Sequence, residues 1–469
     1  MNSIWNNNIS LFIERFPRLA ELINNNIEGF SQPDFWKISQ AKDGNVIAEE
    51  NSLRLHSAYA PVKESLNAIH AEENKLETAK SAVFLGFGLG YTPIELCKKY
   101  PELPLILIEP DINHFLAAIY YLDWTPVFKN PNLILAISST PEQASVLINQ
   151  YGVSESVFFN VKTQTAHAKE YFDVINALIE RNLQKEKINN ATLTKFGKLW
   201  NSNCKRNAIL FNSMQGVIKY TDSCKDKPFV LLAAGPSLQK ILPYLKKIKT
   251  KATIVCVDTA LKACLNYQVE PDFIVLTDPQ YWAYRHIAGL KSPTSTLITE
   301  LAVYPAVYRF KCKKIIVCNS QVPMAKEYTN LYNQKGDLGA GGSVASVAWN
   351  FCALCGAKKI YTCGLDLAFP SKETHIKGST FEESCHTKSS RLNTAQTQGM
   401  PLLFSGNAIQ ALNYNNAPVL TDQRMKMFAW WFESRLAECP EITTYTLSPE
   451  GLKIPGITPI SIEDFLKIL

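Results

Sequence analysis

Short apolar runs alternate with amphipathic stretches through most of the chain. Phe229–Ala234, Ala252–Val257 and Phe273–Leu276 are aliphatic or β-branched, and segments with helical spacing separate them. This alternation predicts βαβαβ order and a parallel sheet, because parallel neighbours need a crossover and a helix supplies it. The first run stops at Gly235-Pro236-Ser237, the second at Asp258-Thr259 and the third at Thr277-Asp278. Open parallel sheets bind ligands at the carboxyl ends of their strands, so these stops mark a candidate site.

The same grammar recurs on both sides. Residues 82–90, Ala-Val-Phe-Leu-Gly-Phe-Gly-Leu-Gly, read as a strand running into a glycine-rich turn. A helical stretch over 91–100 follows, then a strand over 104–108 ending at Glu109. Further strands are expected at 133–137, 157–160, 294–299, 314–318, 359–362 and 443–447. Helices are expected over 344–355, where Gly356 is a good stop, over 421–436 with Thr421 as cap, and over 462–469. Residues 165–215 carry polar and apolar positions at helical spacing, and residues 381–420 hold few regular patterns.

The expected fold is α/β: two Rossmann-like parallel-sheet domains in tandem, a helical connector and a C-terminal helical and mixed region. The expected divisions are an N-terminal accessory segment (1–75), a first Rossmann-like domain (76–164), the connector (165–225), a central catalytic domain (226–380) and the C-terminal region (381–469). A chain of 469 residues is long enough for two or three domains.

Composition narrows the classes. The chain is 46% hydrophobic and 19% charged, as expected of a soluble globular protein with ample core. A formal charge of +6 without a long Lys/Arg block does not suggest nucleic acid. No run approaches the ~20 apolar residues of a membrane span, and the first residues lack a charged segment followed by a long apolar one. A cytoplasmic protein without signal peptide is expected, its 12 cysteines read as reduced, buried thiols. Cys352 and Cys355 have CxxC spacing but no second ligand pair, which is weak evidence for a metal or redox site.

Several residues carry candidate chemistry. Gly235, Pro236 and Ser237 form a strand-to-helix turn whose N–H groups and hydroxyl suit phosphate. The Walker pattern is absent, so ATP cradled as in a kinase is not expected. Gly341-Gly342-Ser343 repeats the logic before a second helix. Asp258, Asp278 and Asp366 each follow an apolar strand, where they can bind ribose, a metal or an acceptor hydroxyl, or simply cap a helix. His375 lies in a polar loop beyond Asp366 and can take a proton from an acceptor hydroxyl, with His386 as competitor and His286 read as packing. Gly86–Gly90 with Glu109 resembles a nucleotide fingerprint of the S-adenosylmethionine type, or a tight turn that binds nothing. Asn201, Asn203 and Asn207 line a cleft or an ordinary polar helix face.

These motifs in order resemble the motility-associated-factor glycosyltransferases, which modify flagellin. They are Gly-Pro-Ser-Leu (235–238), Val-Asp-Thr-Ala-Leu (257–261), Thr-Asp-Pro-Gln (277–280), Gly-Gly-Ser-Val-Ala (341–345), Gly-Leu-Asp-Leu-Ala (364–368) and Thr-His-Ile-Lys-Gly (374–378). Phe-Leu-Gly-Phe-Gly-Leu-Gly-Tyr (84–91), Ile-Glu-Pro-Asp (108–111) and Leu-Thr-Asp-Gln-Arg-Met (420–425) extend the resemblance over most of residues 80–460. The central domain is also similar to bacterial sialyltransferases and to archaeal hydroxymethylpterin diphosphokinases.

The resemblance implies a glycosyltransferase that moves a nonulosonic sugar, such as pseudaminic or legionaminic acid, from a CMP-activated donor to Ser or Thr of flagellin. It implies that Gly235, Pro236, Ser237, Gly342 and Ser343 contact the nucleotide, that Asp258 and Thr259 hold ribose or base, and that Asp278 and Asp366 orient sugar or acceptor. His375 is then the general base or stabilises the leaving phosphate. No cofactor or metal is required, although a divalent ion on the phosphate fits. The alternatives are a nucleotide-dependent pterin diphosphokinase, a methyltransferase using 84–90, and a non-catalytic flagellin-binding protein.

Overall fold

The computed structural model describes residues 3–225, 227–322, 324–325, 335–339, 341–404 and 406–469. The chain divides into two compact units, Met1–Ala191 and Thr192–Leu469. Most of the expected connector forms one helix, Lys169–Ser213, and the boundary falls within it.

In the first unit, β1 (Lys37–Gln40), β2 (Val46–Glu50) and β3 (Leu53–Arg54) make a small antiparallel sheet. A parallel sheet follows, built from β4 (Ser81–Leu85), β5 (Leu105–Glu109), β6 (Leu133–Ile137) and β7 (Ser156–Asn160) in the order β6-β5-β4-β7. Every residue of β4 and β5 is buried, as continuous apolar runs require when helices cover both faces. The N-terminal helix Ser3–Arg15 is built into this core. Phe12 is fully buried with its ring 5.3 Å from that of Phe115, and Asn8 donates to the carbonyls of Ile119 and Leu122 at 2.7 Å each.

The second unit is organised on eight strands, all parallel: β8 (Phe229–Leu232), β9 (Thr253–Val257), β10 (Phe273–Val275), β11 (Lys291–Glu300), β12 (Lys311–Cys318), β13 (Lys359–Cys363), β16 (Thr443–Thr446) and β17 (Ile457–Pro459). Between β13 and β16 lies an antiparallel hairpin, β14 (Ala408–Leu412) and β15 (Pro418–Asp422). The sheet order is β12-β11-β10-β9-β8-β13-β16-β17. From β8 the chain moves outward to β12, then returns to place β13 on the other side of β8. The connection therefore reverses between β8 and β13, and the carboxyl ends of these two strands form the topological switch point.

Three sequence expectations change here. The central sheet does not stop at 380, because β16 pairs with β13 through Thr362 and Thr446, far apart in sequence. Residues 381–420 contain the helices Thr380–Thr387 and Ala395–Phe404 as well as the hairpin. The late helix runs Gln423–Glu438 and its cap is Asp422, whose side chain accepts from Met425 N at 2.7 Å; Thr421 instead donates to Leu367 O. Cys352 and Cys355 are free and buried, and burial raises both thiols above their ordinary range.

Candidate functional site

At the switch point the ends of β8 and β13 are tied together. Gly235 N donates to Gly364 O at 2.8 Å. Ser237 donates its backbone N–H to Asp366 Oδ2 at 3.0 Å and its hydroxyl to Asp366 Oδ1. Ser448, beyond the end of β16, places its Oγ 2.6 Å from Ser237 Oγ and accepts from Gly364 N at 2.9 Å. A side chain at Gly235 has no room: its Cβ would lie 2.4 Å from Asp366 Oδ2 and 2.5 Å from Gly364 O. Glycine here is a condition of the two strand ends meeting.

This geometry corrects the expectation of open N–H groups at 235–237. Gly235 and Ser237 have already spent theirs on Gly364 and Asp366, and Pro236 has none. The turn leads into a short 3-10 helix, Pro236–Lys240, rather than an α-helix. Burial pushes the Asp366 carboxyl up to about 6, while the Ser237 hydrogen bonds hold it down from a higher value.

The loop carrying His375 joins the same edge, since Ile376 N donates to Ala234 O at 2.9 Å, one residue before Gly235. The His375 ring stacks on Phe381 with centroids 4.1 Å apart, and its buried Nδ1 has no partner. Burial lowers its pKa to about 4, with His286 and Arg424 contributing, so the ring is neutral at physiological pH. His286 also packs against Phe381, whereas His386 is exposed on the helix Thr380–Thr387.

Along the sheet edge, Asp258 is the first residue of the helix Asp258–Asn266 and not its cap; Val257 occupies the cap position. Asp258 is buried, and desolvation, with Asp278 adding to it, pushes its carboxyl up to about 8. Thr259 follows it, half-buried. Asp278, half-buried beyond β10, is also raised by desolvation, and its Oδ1 accepts from Gln280 N at 2.9 Å. Glu300, the last residue of β11, was missed from sequence although it too is an acid closing an apolar strand. Desolvation pushes it up to about 8, with Asp278 contributing. Desolvation thus favours the neutral form of Asp258 and Glu300, which can donate hydrogen bonds.

Gly341-Gly342-Ser343 opens the helix Val344–Leu354, which delivers the chain to β13 a few residues later. Its start therefore lies at the edge where the strands end. Ser343 is its N-cap, with Oγ 3.4 Å from Ser346 N. Gly342 has φ +80°, and a Cβ there would meet the Phe428 ring at 2.6 Å. Ala340 lies outside the described residues. Asn203 and Asn207 have structural partners. Asn203 donates to the carbonyls of Pro279 and Ala302, and Asn207 to those of Leu301 and Val303, at 2.8–3.1 Å. They clamp the segments beyond β10 and β11. Ser448 was also missed, because only strand pairing brings the 448–451 loop to the switch point.

The glycine turn of the first unit is filled by the protein itself. Leu89 N donates to His56 Nε2 at 2.9 Å, and Trp124 Nε1 donates to Leu89 O at 3.1 Å. A Cβ on Gly88 would sit 2.4 Å from His56 Nε2, and one on Gly90 2.4 Å from the Trp124 ring. Glu109 is 1% exposed and faces His114, so it offers nothing to a ribose from solvent. These glycines serve packing, which removes support for the methyltransferase alternative.

Comparison with known proteins follows this division. Residues 4–187 match the glycosyltransferase Maf N-terminal domain, and residues 202–372 match the 6-hydroxymethylpterin diphosphokinase MptE-like domain. This chain belongs to the Maf glycosyltransferase family. Its relatives include uncharacterised proteins of Treponema pallidum (strain Nichols). One is 35% identical over 235 residues, covering 43% of this chain and 59% of the relative. Another is 30% identical over 247 residues, covering 51% of this chain and 84% of the relative. The chain thus spans less than two thirds of the first of these. The solved structure of the Maf glycosyltransferase from Magnetospirillum magneticum AMB-1 has the same fold, with a TM-score of 0.64 at 14% identity, over 98% of this chain and 75% of that one. No helix among the described residues is long and apolar enough to cross a membrane.

Proposed function

We propose that this Maf-family protein transfers a nonulosonic sugar from a CMP-activated donor to Ser or Thr hydroxyls of flagellin in the cytoplasm. The observation that carries the reading is the convergence at one switch point of Ser237, Asp366 and the His375 loop, along the sheet edge that also carries the buried acids Asp258 and Glu300. A CMP-nonulosonate brings a phosphate and a carboxylate. Desolvation favours the neutral form of Asp258 and Glu300, which can donate to it, whereas Asp366, at about 6, is the ionised acid of the site.

The acceptor oxygen forms a bond to the anomeric carbon while that carbon's bond to the phosphate oxygen breaks, and the electron pair leaves with CMP. The hydroxyl proton passes to Nδ1 of His375, which is buried and without a partner until the acceptor docks. An imidazole with a pKa of about 4 is a weak base, but an anionic donor beside it raises its proton affinity, so the base gains strength in the donor complex. Asp258 and Thr259 hold ribose. Asp278 and Asp366 orient sugar and acceptor, Asp366 from a position fixed by Ser237. Charge developing on the phosphate falls to the helix start at Gly342 and Ser343, since the amides at 235–237 are engaged. A divalent ion on the phosphate is compatible with this scheme and not required by it.

Incubation with CMP-nonulosonates and unmodified flagellin, read by intact mass, tests the proposal. A mass gain of one sugar per site is expected, and no gain with any nonulosonic donor by folded protein would overturn it. The match of residues 202–372 to a pterin diphosphokinase-like model favours one second reading, pyrophosphate transfer from a nucleotide to a pterin. Calorimetry separates them: CMP binding supports the first, and binding of ATP with Mg²⁺ without CMP binding supports the second.

A further inference from the structure

The first unit holds a cluster that the transferase reading does not use. Glu50 ends β2, His114 lies on the helix Ile112–Tyr121 after β5, and His167 ends the helix Lys162–His167 after β7. Glu50 Oε1 is 3.1 Å from His114 Nε2 and 3.4 Å from His167 Nδ1, and the three donor atoms lie within 4.8 Å of one another. Ligands at the 2.0–2.2 Å distances of a zinc-type ion sit ~3.3 Å apart in a tetrahedral shell. Two of the three separations already have that value.

The surroundings are built as a second shell would be. Glu109 Oε1 lies 3.6 Å from His114 Nδ1, behind the ring, where a carboxylate supports a ligating imidazole, while Nε2 faces Glu50 Oε1 at hydrogen-bond distance. Glu109 is 1% exposed and its Oε2 has no partner. Trp36 stacks on the His114 ring and donates from Nε1 to the second oxygen of Glu50 at 3.4 Å. Glu50 and His114 are buried, while His167 is partly exposed and lines a cleft of about 420 Å³ with Asn26, Asp111, Asn113 and Ser138. Two buried ligands and a third, His167, at the wall of a cleft describe a coordination site with one side open. His114 and His167 lie on the helices after β5 and β7, and Glu109 ends β5, so the cluster gathers at the ligand edge of a parallel sheet whose glycine turn is filled.

We propose that Glu50, His114 and His167 bind a divalent first-row transition cation, with Glu109 as the carboxylate behind His114 and a coordination position open to the cleft. A carboxylate with two imidazoles is the donor set of hydrolytic zinc and of non-haem iron sites.

The test uses the full-length protein freed of metal and titrated with Zn²⁺ alone by calorimetry, with Co²⁺ as a spectroscopic probe. About one tight Zn²⁺ per chain is expected. His167→Ala, a change at a partly exposed side chain, should weaken it by ~100-fold or more with the thermal transition of the metal-free protein unchanged. Glu109→Gln should weaken it by ~10–100-fold. The Co²⁺ spectrum should show d–d bands without thiolate charge transfer. Absence of stoichiometric Zn²⁺ uptake, uptake unchanged in both His167→Ala and Glu50→Gln, or a thiolate band pointing to the free cysteines would overturn the site. Glycosyl transfer is not the readout, so failure here leaves the transferase reading standing.

Discussion

Ser237 presents its backbone N–H, at 3.0 Å, and its hydroxyl to the two carboxylate oxygens of Asp366, 129 positions further along the chain. This pair closes the switch point between β8 and β13. Ser237→Ala should cost ~1–3 kcal/mol in thermal unfolding, because it leaves a buried carboxyl oxygen without its donor. It should also raise the Asp366 pKa above its value of about 6, since the lost hydrogen bond favoured the ionised form. The corresponding limb of the pH–rate profile, followed as CMP release, then moves to higher pH. An unmoved limb would show that Asp366 does not govern it.

Asp258 and Glu300 have folded pKa values of about 8, raised mainly by desolvation. An acid held neutral in the folded protein but ionised in the unfolded chain favours folding at low pH. That contribution is complete below the unfolded pKa of ~4 and is lost as pH rises through about 8. Tm should therefore fall between these limits, and Asp258→Asn with Glu300→Gln should flatten the profile. Differential scanning calorimetry across that range checks it.

His375 should stay neutral well below the ordinary histidine pKa. Its folded value of about 4 means that it takes no proton as pH falls through ~6.5, where the unfolded chain does. The linked contribution to stability is present above ~6.5 and fades as pH drops toward 4. Ring proton shifts in NMR, assigned with His375→Ala, should show no titration down to about pH 5.5. Saturation with CMP should bring the titration into view as the phosphate raises the pKa. The same variant should lose ~100-fold or more in transfer with folding intact.

Gly88→Ala should destabilise the first unit by ~1–3 kcal/mol, because its φ of +61° disfavours a side chain and the new Cβ would overlap His56 Nε2. Wild-type protein should show no S-adenosylmethionine binding by calorimetry, because His56 and Trp124 already occupy the turn. Binding of that cofactor would restore the nucleotide reading of residues 84–90.

The sequence by itself determined the two parallel sheets and most of their strands. Apolar runs such as Thr253–Val257 and Leu105–Glu109 are strands buried on both faces, and period and length alone identify them. It also marked the residues at strand ends, because glycine and acid after an apolar run have few other uses. Tertiary structure decided what those residues face. Local patterning could not tell that the amides at 235–237 are spent on Gly364 and Asp366, that Asn203 and Asn207 clamp strand-end carbonyls, or that Ser448 reaches the switch point. Each depends on which distant strand pairs with which. Nor could it gather Glu50, His114 and His167 around one point, since their proximity depends on how β2, β5 and β7 are placed and leaves no period or spacing in the chain.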